Sequence, residues 1–179
     1  VSQGVGGGLA QGDEELKLMA LAGLMSSDPP RALPVLRKVL NGNSSLVVKE
    51  QALFVLAQSP QPEALQTLLE FAKGKGNPDL QMKAVEMVGV RGGPEAAGLL
   101  ADLYNPGLDP ALKRRILAGL AMTKSGDRIL AVARSEQDPA LRAEAIRMLG
   151  VLNEASFSSD LARRMYQAET EKPVKHAFL

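Results

Sequence analysis

The chain repeats itself, and that self-similarity restricts its fold more than any other feature. Asp138 to Gly150 (DPALRAEAIRMLG) aligns with Asp109 to Ala121 (DPALKRRILAGLA) and with Asn77 to Gly89 (NPDLQMKAVEMVG). Weaker copies begin at Asp13 and Ser45, and a last one runs to the C-terminus. Aligned on a central small residue, the anchors are Ala20, Ala52, Ala84, Ile116, Ala145 and Ala177, spaced 32, 32, 32, 29 and 32 residues apart. A period of this length belongs to stacked arrays, in which each unit buries its apolar face only against its neighbours.

Each copy reads as a helix. Asp or Asn stands at the N-cap, where its side chain can accept from an orphan N–H of the first turn, and Pro follows where a missing N–H costs nothing. Leu141, Ala145, Met148, Leu149 and Leu152 then recur at i, i+4, i+7, i+8 and i+11, one face of a helix. Asp13/Lys17, Asp109/Lys113 and Asp138/Arg142 are spaced i,i+4 with the acid first, so they are expected to pair along their own helices. Second amphipathic segments lie between: Arg31–Leu40, Glu63–Ala72, Glu95–Tyr104, Asp127–Arg134 and Ser158–Ala168. Gly, Asn and Pro fill the gaps, and no stretch shows sustained period-two alternation. The expected architecture is all-α: a right-handed α-solenoid of antiparallel helix pairs, about ten or eleven helices, one pair per 32 residues.

Residues 1–12 have the composition of a flexible Gly-rich linker, and 13–179 form the repeat domain of five to six repeats, the last truncated. Both ends read as cut from a longer protein. With six aromatic residues among 179, the core must come from Leu, Ala, Val, Met and Ile. Net charge is +1, so no global attraction to nucleic acid or anionic membrane is expected. No apolar run approaches the roughly 20 residues a membrane helix needs, so no membrane insertion is expected. The absence of cysteine removes disulfides, thiolate metal sites and a thiol nucleophile but leaves the compartment open.

The phrase Asp-Pro-x-Leu-[Lys/Arg]-x-x-Ala-x-x-x-Leu-Gly, complete at Asp138–Gly150 and nearly so at Asp109–Ala121, resembles the short HEAT-like repeats of the PBS-lyase type. The resemblance covers about residues 13–179. It implies a helical solenoid acting as an interaction module, not a specific chemistry. Trp and Tyr at tetratricopeptide positions are missing, as is the ankyrin Thr-Pro-Leu-His. Enzymes and nucleic-acid readers on the same scaffold form the alternative class, bilin-lyase-like or DNA-glycosylase-like. A glycosylase needs aromatic residues to handle a base, and here only Tyr104 and Tyr166 join four Phe and no Trp. HEAT-repeat metal hydroxylases need several His-Glu ligands, whereas His176 is the sole histidine. The Gly4–Gly12 stretch lacks the preceding strand and following Gly-Lys-Ser/Thr of a phosphate loop. Asp13-Glu14-Glu15 are explained as first-turn acids complementing a helix N-terminus. No catalytic residue, metal or cofactor is expected.

With the cap as position one, the core centres on positions 4, 8, 11 and 12, and positions 3, 6, 7 and 10 turn outward. Taking the Asp-Pro helices as the concave layer, as in solenoids of this family, gives a groove of Leu18, Met19, Phe54, Met82, Glu86, Arg114, Arg115 and Arg147. Its first part is apolar and its last part arginine-rich, a composition found in protein interfaces. The expected partner is a protein or peptide, with the exposed solenoid ends offering further contact surfaces.

Overall fold

A computed structural model describes residues 6–153 and 155–179, with side chains from Gly12 onward. Among the described residues it contains eleven helices and no strand: α1 (Gly6–Ser27), α2 (Pro29–Asn41), α3 (Leu46–Gln58), α4 (Pro62–Ala72), α5 (Pro78–Arg91), α6 (Gly93–Leu103), α7 (Pro110–Met122), α8 (Gly126–Ser135), α9 (Pro139–Leu152), α10 (Ser159–Ala168) and α11 (Lys172–His176). The second segments expected from the sequence correspond to α2, α4, α6, α8 and α10. None of these helices is long and apolar enough to cross a membrane.

The helices fall into two compact units divided after Met87, within α5. In the first unit α1 packs on α2 and α3, α2 on α3, and α3 on α4. In the second, α6 packs on α7, α7 on both α8 and α9, and α9 on α8 and α11. Short turns fold successive helices back on one another, so each unit is a run of stacked hairpins. The caps work as the sequence requires. Ser45 accepts from the Val48 amide, Asn77 from Leu80, Asp109 from Ala111, and Asp138 from Ala140 and Leu141.

Among the described residues the core is aliphatic, with Phe71 its one fully buried aromatic. In the copies starting at Ser45, Asn77, Asp109 and Asp138, positions 4, 8 and 12 are buried throughout: Val48, Ala52 and Leu56; Leu80, Ala84 and Val88; Leu112, Ile116 and Leu120; Leu141, Ala145 and Leu149. Position 16 closes three of these helices in the left-handed region, at Gly92 (φ 72°), Lys124 (φ 54°) and Asn153 (φ 49°). A residue of this conformation after the last turn turns the chain out of the helix.

The first copy departs from the expected frame. The anchor Ala20 is exposed, as are Leu16 and Gly23, whereas Leu18 and Met25 are buried. The cause is that α1 starts at Gly6, so Asp13 lies inside the helix and caps nothing. Once a helix is nucleated, each added residue brings one more hydrogen bond, so the helix propagates upstream through Gly6–Gly12. Residues 6–12 of the expected linker are therefore helical; residues 1–5 lie outside the described residues. Asp13, Glu14 and Glu15 are accordingly not first-turn acids.

Candidate partner-binding faces

Outward positions on the Asp-Pro helices carry the residues expected to meet a partner, and each unit is described separately. In the first unit Met19 on α1 and Phe54 on α3 are both exposed, on helices that pack against each other. Leu16 and Val47 are exposed on the same two helices. Leu18 is not part of this surface. It is buried, a correction that follows from the frame of α1, because the face set by Leu18, Ala22 and Met25 turns inward. Met82 and Glu86 on α5 are half-buried, with Glu86 3.5 Å from Lys83.

In the second unit Arg114, Arg115 and Arg147 are exposed. Arg114 pairs with Glu144 of α9 at 3.3 Å. Ala143, also expected to face outward, is buried where α9 meets its neighbours. His176 is exposed on α11.

The ionic contacts differ from those expected. Asp109 and Asp138 spend their carboxylates on the helix N-termini, and the cations at position 5 reach the next helix instead. Lys113 of α7 donates to Glu136, the residue after α8, at 3.1 Å, with side chains 8% and 4% exposed. Glu136 also accepts from the Tyr104 hydroxyl and from the Asp138 amide at 2.9 Å. Arg142 of α9 forms a two-pronged pair with Glu169, the residue after α10, with both contacts at 3.0 Å. Its remaining nitrogen donates to the Glu136 and Gln137 carbonyls. The two latches are one device at the same repeat position: a position-5 cation held by a glutamate two residues before the next cap. Helical spacing alone suggests the local pair, but Asp109 and Asp138 satisfy their own amide donors, and a bidentate Arg–carboxylate contact is the stronger use of the cation.

Burial alone would raise the Glu136 carboxyl; the Asp138 amide, the Tyr104 hydroxyl and Lys113 outweigh it and hold the group at about 2. Tyr104 is pushed up, first by burial and then by donating to that carboxylate. Glu169 is lowered, chiefly by Arg142. A cleft of about 210 Å³ opens beside the first latch, lined by Tyr104, Asn105, Lys113 and Glu136 among others. Every fully buried side-chain nitrogen and oxygen among the described residues has a partner. At the C-terminal end Phe178 meets Phe157 and Tyr166, ring centroids 6.2 and 6.0 Å away.

Stacked helical hairpins, capped and latched repeat by repeat, with apolar and arginine side chains left on their outer faces, define an α-helical repeat protein. Residues 43–121, from the turn before α3 almost to the end of α7, match the family described as HEAT repeats. Over that segment the chain is similar to HEAT repeats. Such repeats are generally protein-interaction scaffolds and generally non-catalytic. No curated protein matches the chain.

Proposed function

We propose that this chain is a non-catalytic interaction module that holds a protein or peptide on the outer faces of its Asp-Pro helices. The observation that supports this reading most directly is the exposure of Met19 and Phe54 on the packed pair α1 and α3. Single exposed apolar residues are ordinary, but a large aromatic and a methionine on adjoining helices are the side chains that interface cores favour. The short repeats resemble those of the PBS-lyase type in their Asp-Pro-x-Leu-[Lys/Arg] phrase, and the module reading does not depend on that subtype.

The test compares capture of one identified partner by the wild-type chain and by two variants, Met19→Ser/Phe54→Ala and Arg114→Glu/Arg115→Glu. Both variants are expected to keep full helicity by circular dichroism. Removing one aromatic anchor weakens capture by about tenfold. A partner bound equally well by both variants would refute the assignment. A steep loss of binding with added salt would point instead to phosphate contacts.

A further inference from the structure

Among the described residues α10 is the one helix without a single buried side chain. Its apolar side, Leu161, Ala162 and Met165, is only half-buried. The other second-layer helices pack directly on their neighbours: α2 on α1 and α3, α4 on α3, α6 on α7, and α8 on α7 and α9. Beside α10 the arrangement differs. There α9 and α11 pack directly on each other, and Val174 of α11 is fully buried. That contact does not run through α10.

Two fastenings hold α10 instead. Glu169, the residue that follows it, grips Arg142 of α9 through two contacts of 3.0 Å, with the glutamate 11% and the arginine 18% exposed. The same carboxylate accepts from the Thr170 and Glu171 amides and so fixes the turn out of the helix. Tyr166 meets Phe178 edge-on, ring centroids 6.0 Å apart, and the Lys175 ammonium stands 5.0 Å from the tyrosine ring. The Asp160–Arg164 pair lies along α10 itself and is largely exposed, so it adds little and ties the helix to nothing else.

A segment opens locally at a free energy set by the apolar surface and contacts it must give up, and α10 gives up no buried side chain. A helix of ten residues is too short to persist alone in water, so detachment and unfolding of α10 are one event. When Glu169 leaves, Arg142 still donates to the Glu136 and Gln137 carbonyls, so α9 stays tied to the turn after α8.

We propose that α10 is a releasable strap, which detaches and unfolds as a unit while α7, α8 and α9 stay folded, with the Arg142–Glu169 pair as the clasp that sets how often it opens. The open state presents residues 159–168 as an unstructured segment carrying two adjacent arginines, Arg163 and Arg164. This inference goes beyond the interaction-module reading and does not depend on the partner faces assigned there.

The experiment is amide hydrogen exchange followed by mass spectrometry on the full chain, comparing wild type with Glu169→Gln, which keeps the side-chain size and an oxygen for the Thr170 and Glu171 amides. In the wild type α10 should exchange well before α7, α8 and α9. Loss of the charged pair should speed exchange across α10 by about tenfold or more while α7 and α8 keep their rates, and Arg142→Lys, which retains one contact, should fall between. Trypsin cleavage after Arg163 and Arg164 should rise by a similar factor, because it follows the population of the open form. A common exchange rate for α7 to α10 in the wild type would overturn the inference. So would an α10 rate unchanged in Glu169→Gln, or a variant in which α7 and α8 loosen as much as α10 or the whole unit unfolds, since the pair would then belong to the common core.

Discussion

Lys113→Met removes the cation of the buried latch while keeping most of the side-chain volume, so its effect isolates the charge. The Glu136 carboxylate would keep the Tyr104 hydroxyl and the Asp138 amide but lose the Lys113 ammonium. A carboxyl held at about 2 instead of its ordinary 4.5 reflects roughly 3 kcal/mol of net stabilisation from its three partners together. Breaking a buried pair by deleting one member costs about 3–5 kcal/mol, because the surviving charge is stranded. With two donors left in place, the expected loss at pH 7 is about 2–3 kcal/mol.

The sign with pH follows from the direction of the shift. A carboxyl lowered on folding contributes stability that is fully present above its unfolded value and is lost as pH falls through its folded value. The contribution of Glu136 therefore declines from pH 4.5 downward and is largely gone near pH 2. In the Lys113→Met variant it is already diminished, so the gap between variant and wild type should shrink below about 1 kcal/mol near pH 2. Urea unfolding followed by circular dichroism at both pH values measures the gap, and amide exchange across α7–α9 locates it. Lys113→Met/Glu136→Gln, which removes both charges and leaves a carbonyl oxygen to accept from Tyr104 and Asp138, should recover most of the loss. A single variant within about 0.5 kcal/mol of wild type at pH 7, a gap unchanged at low pH, or a double variant worse than the single would each refute the reasoning.

Two further substitutions exploit repeat positions that differ only in surroundings. Gly89 and Gly150 both stand at position 13, but a Cβ at Gly89 runs into the Gly119 backbone, whereas one at Gly150 meets nothing within 4 Å. Gly89→Ala should therefore cost about 1–3 kcal/mol, and Gly150→Ala should gain up to about 1 kcal/mol from helix propensity; thermal melts moving in the same direction for both would contradict the close approach of α5 and α7. Lys124 occupies the left-handed position that Gly92 fills one repeat earlier, so Lys124→Gly should stabilise by up to about 1 kcal/mol in urea melts, and a loss would mean that the lysine side chain holds the turn.

What the residues disclose in advance depends on how many independent signals fix the helical frame. From Ser45 onward a cap, a period and a small central residue agree, and Val48, Ala52 and Leu56 or Leu141, Ala145 and Leu149 fall inside as expected. In the first copy the frame rests on Asp13 and the anchor Ala20 without a following Pro, and a polar residue signals a cap only if the helix starts there. The stripe Leu18, Leu21, Ala22 and Met25, at i, i+3, i+4 and i+7, carried the true frame and was outweighed by the apparent cap. The latches were missed for a related reason. Spacing along one helix offers Lys113 its own cap, Asp109, but the cap's oxygen is committed to the Ala111 amide, and the better partner comes from another helix. The available signal was the acid two residues before the next N-cap, at Glu136 and again at Glu169. Surface function is the least legible level, because phase tells which side chains leave the core but not whether water or a partner receives them. Arg114 illustrates the ambiguity: it was expected to face a ligand and meets Glu144. In a repeat protein the discriminating evidence is recurrence itself. Position 6 shows why one copy is not enough: Arg114 is exposed there, whereas Ala143 is buried.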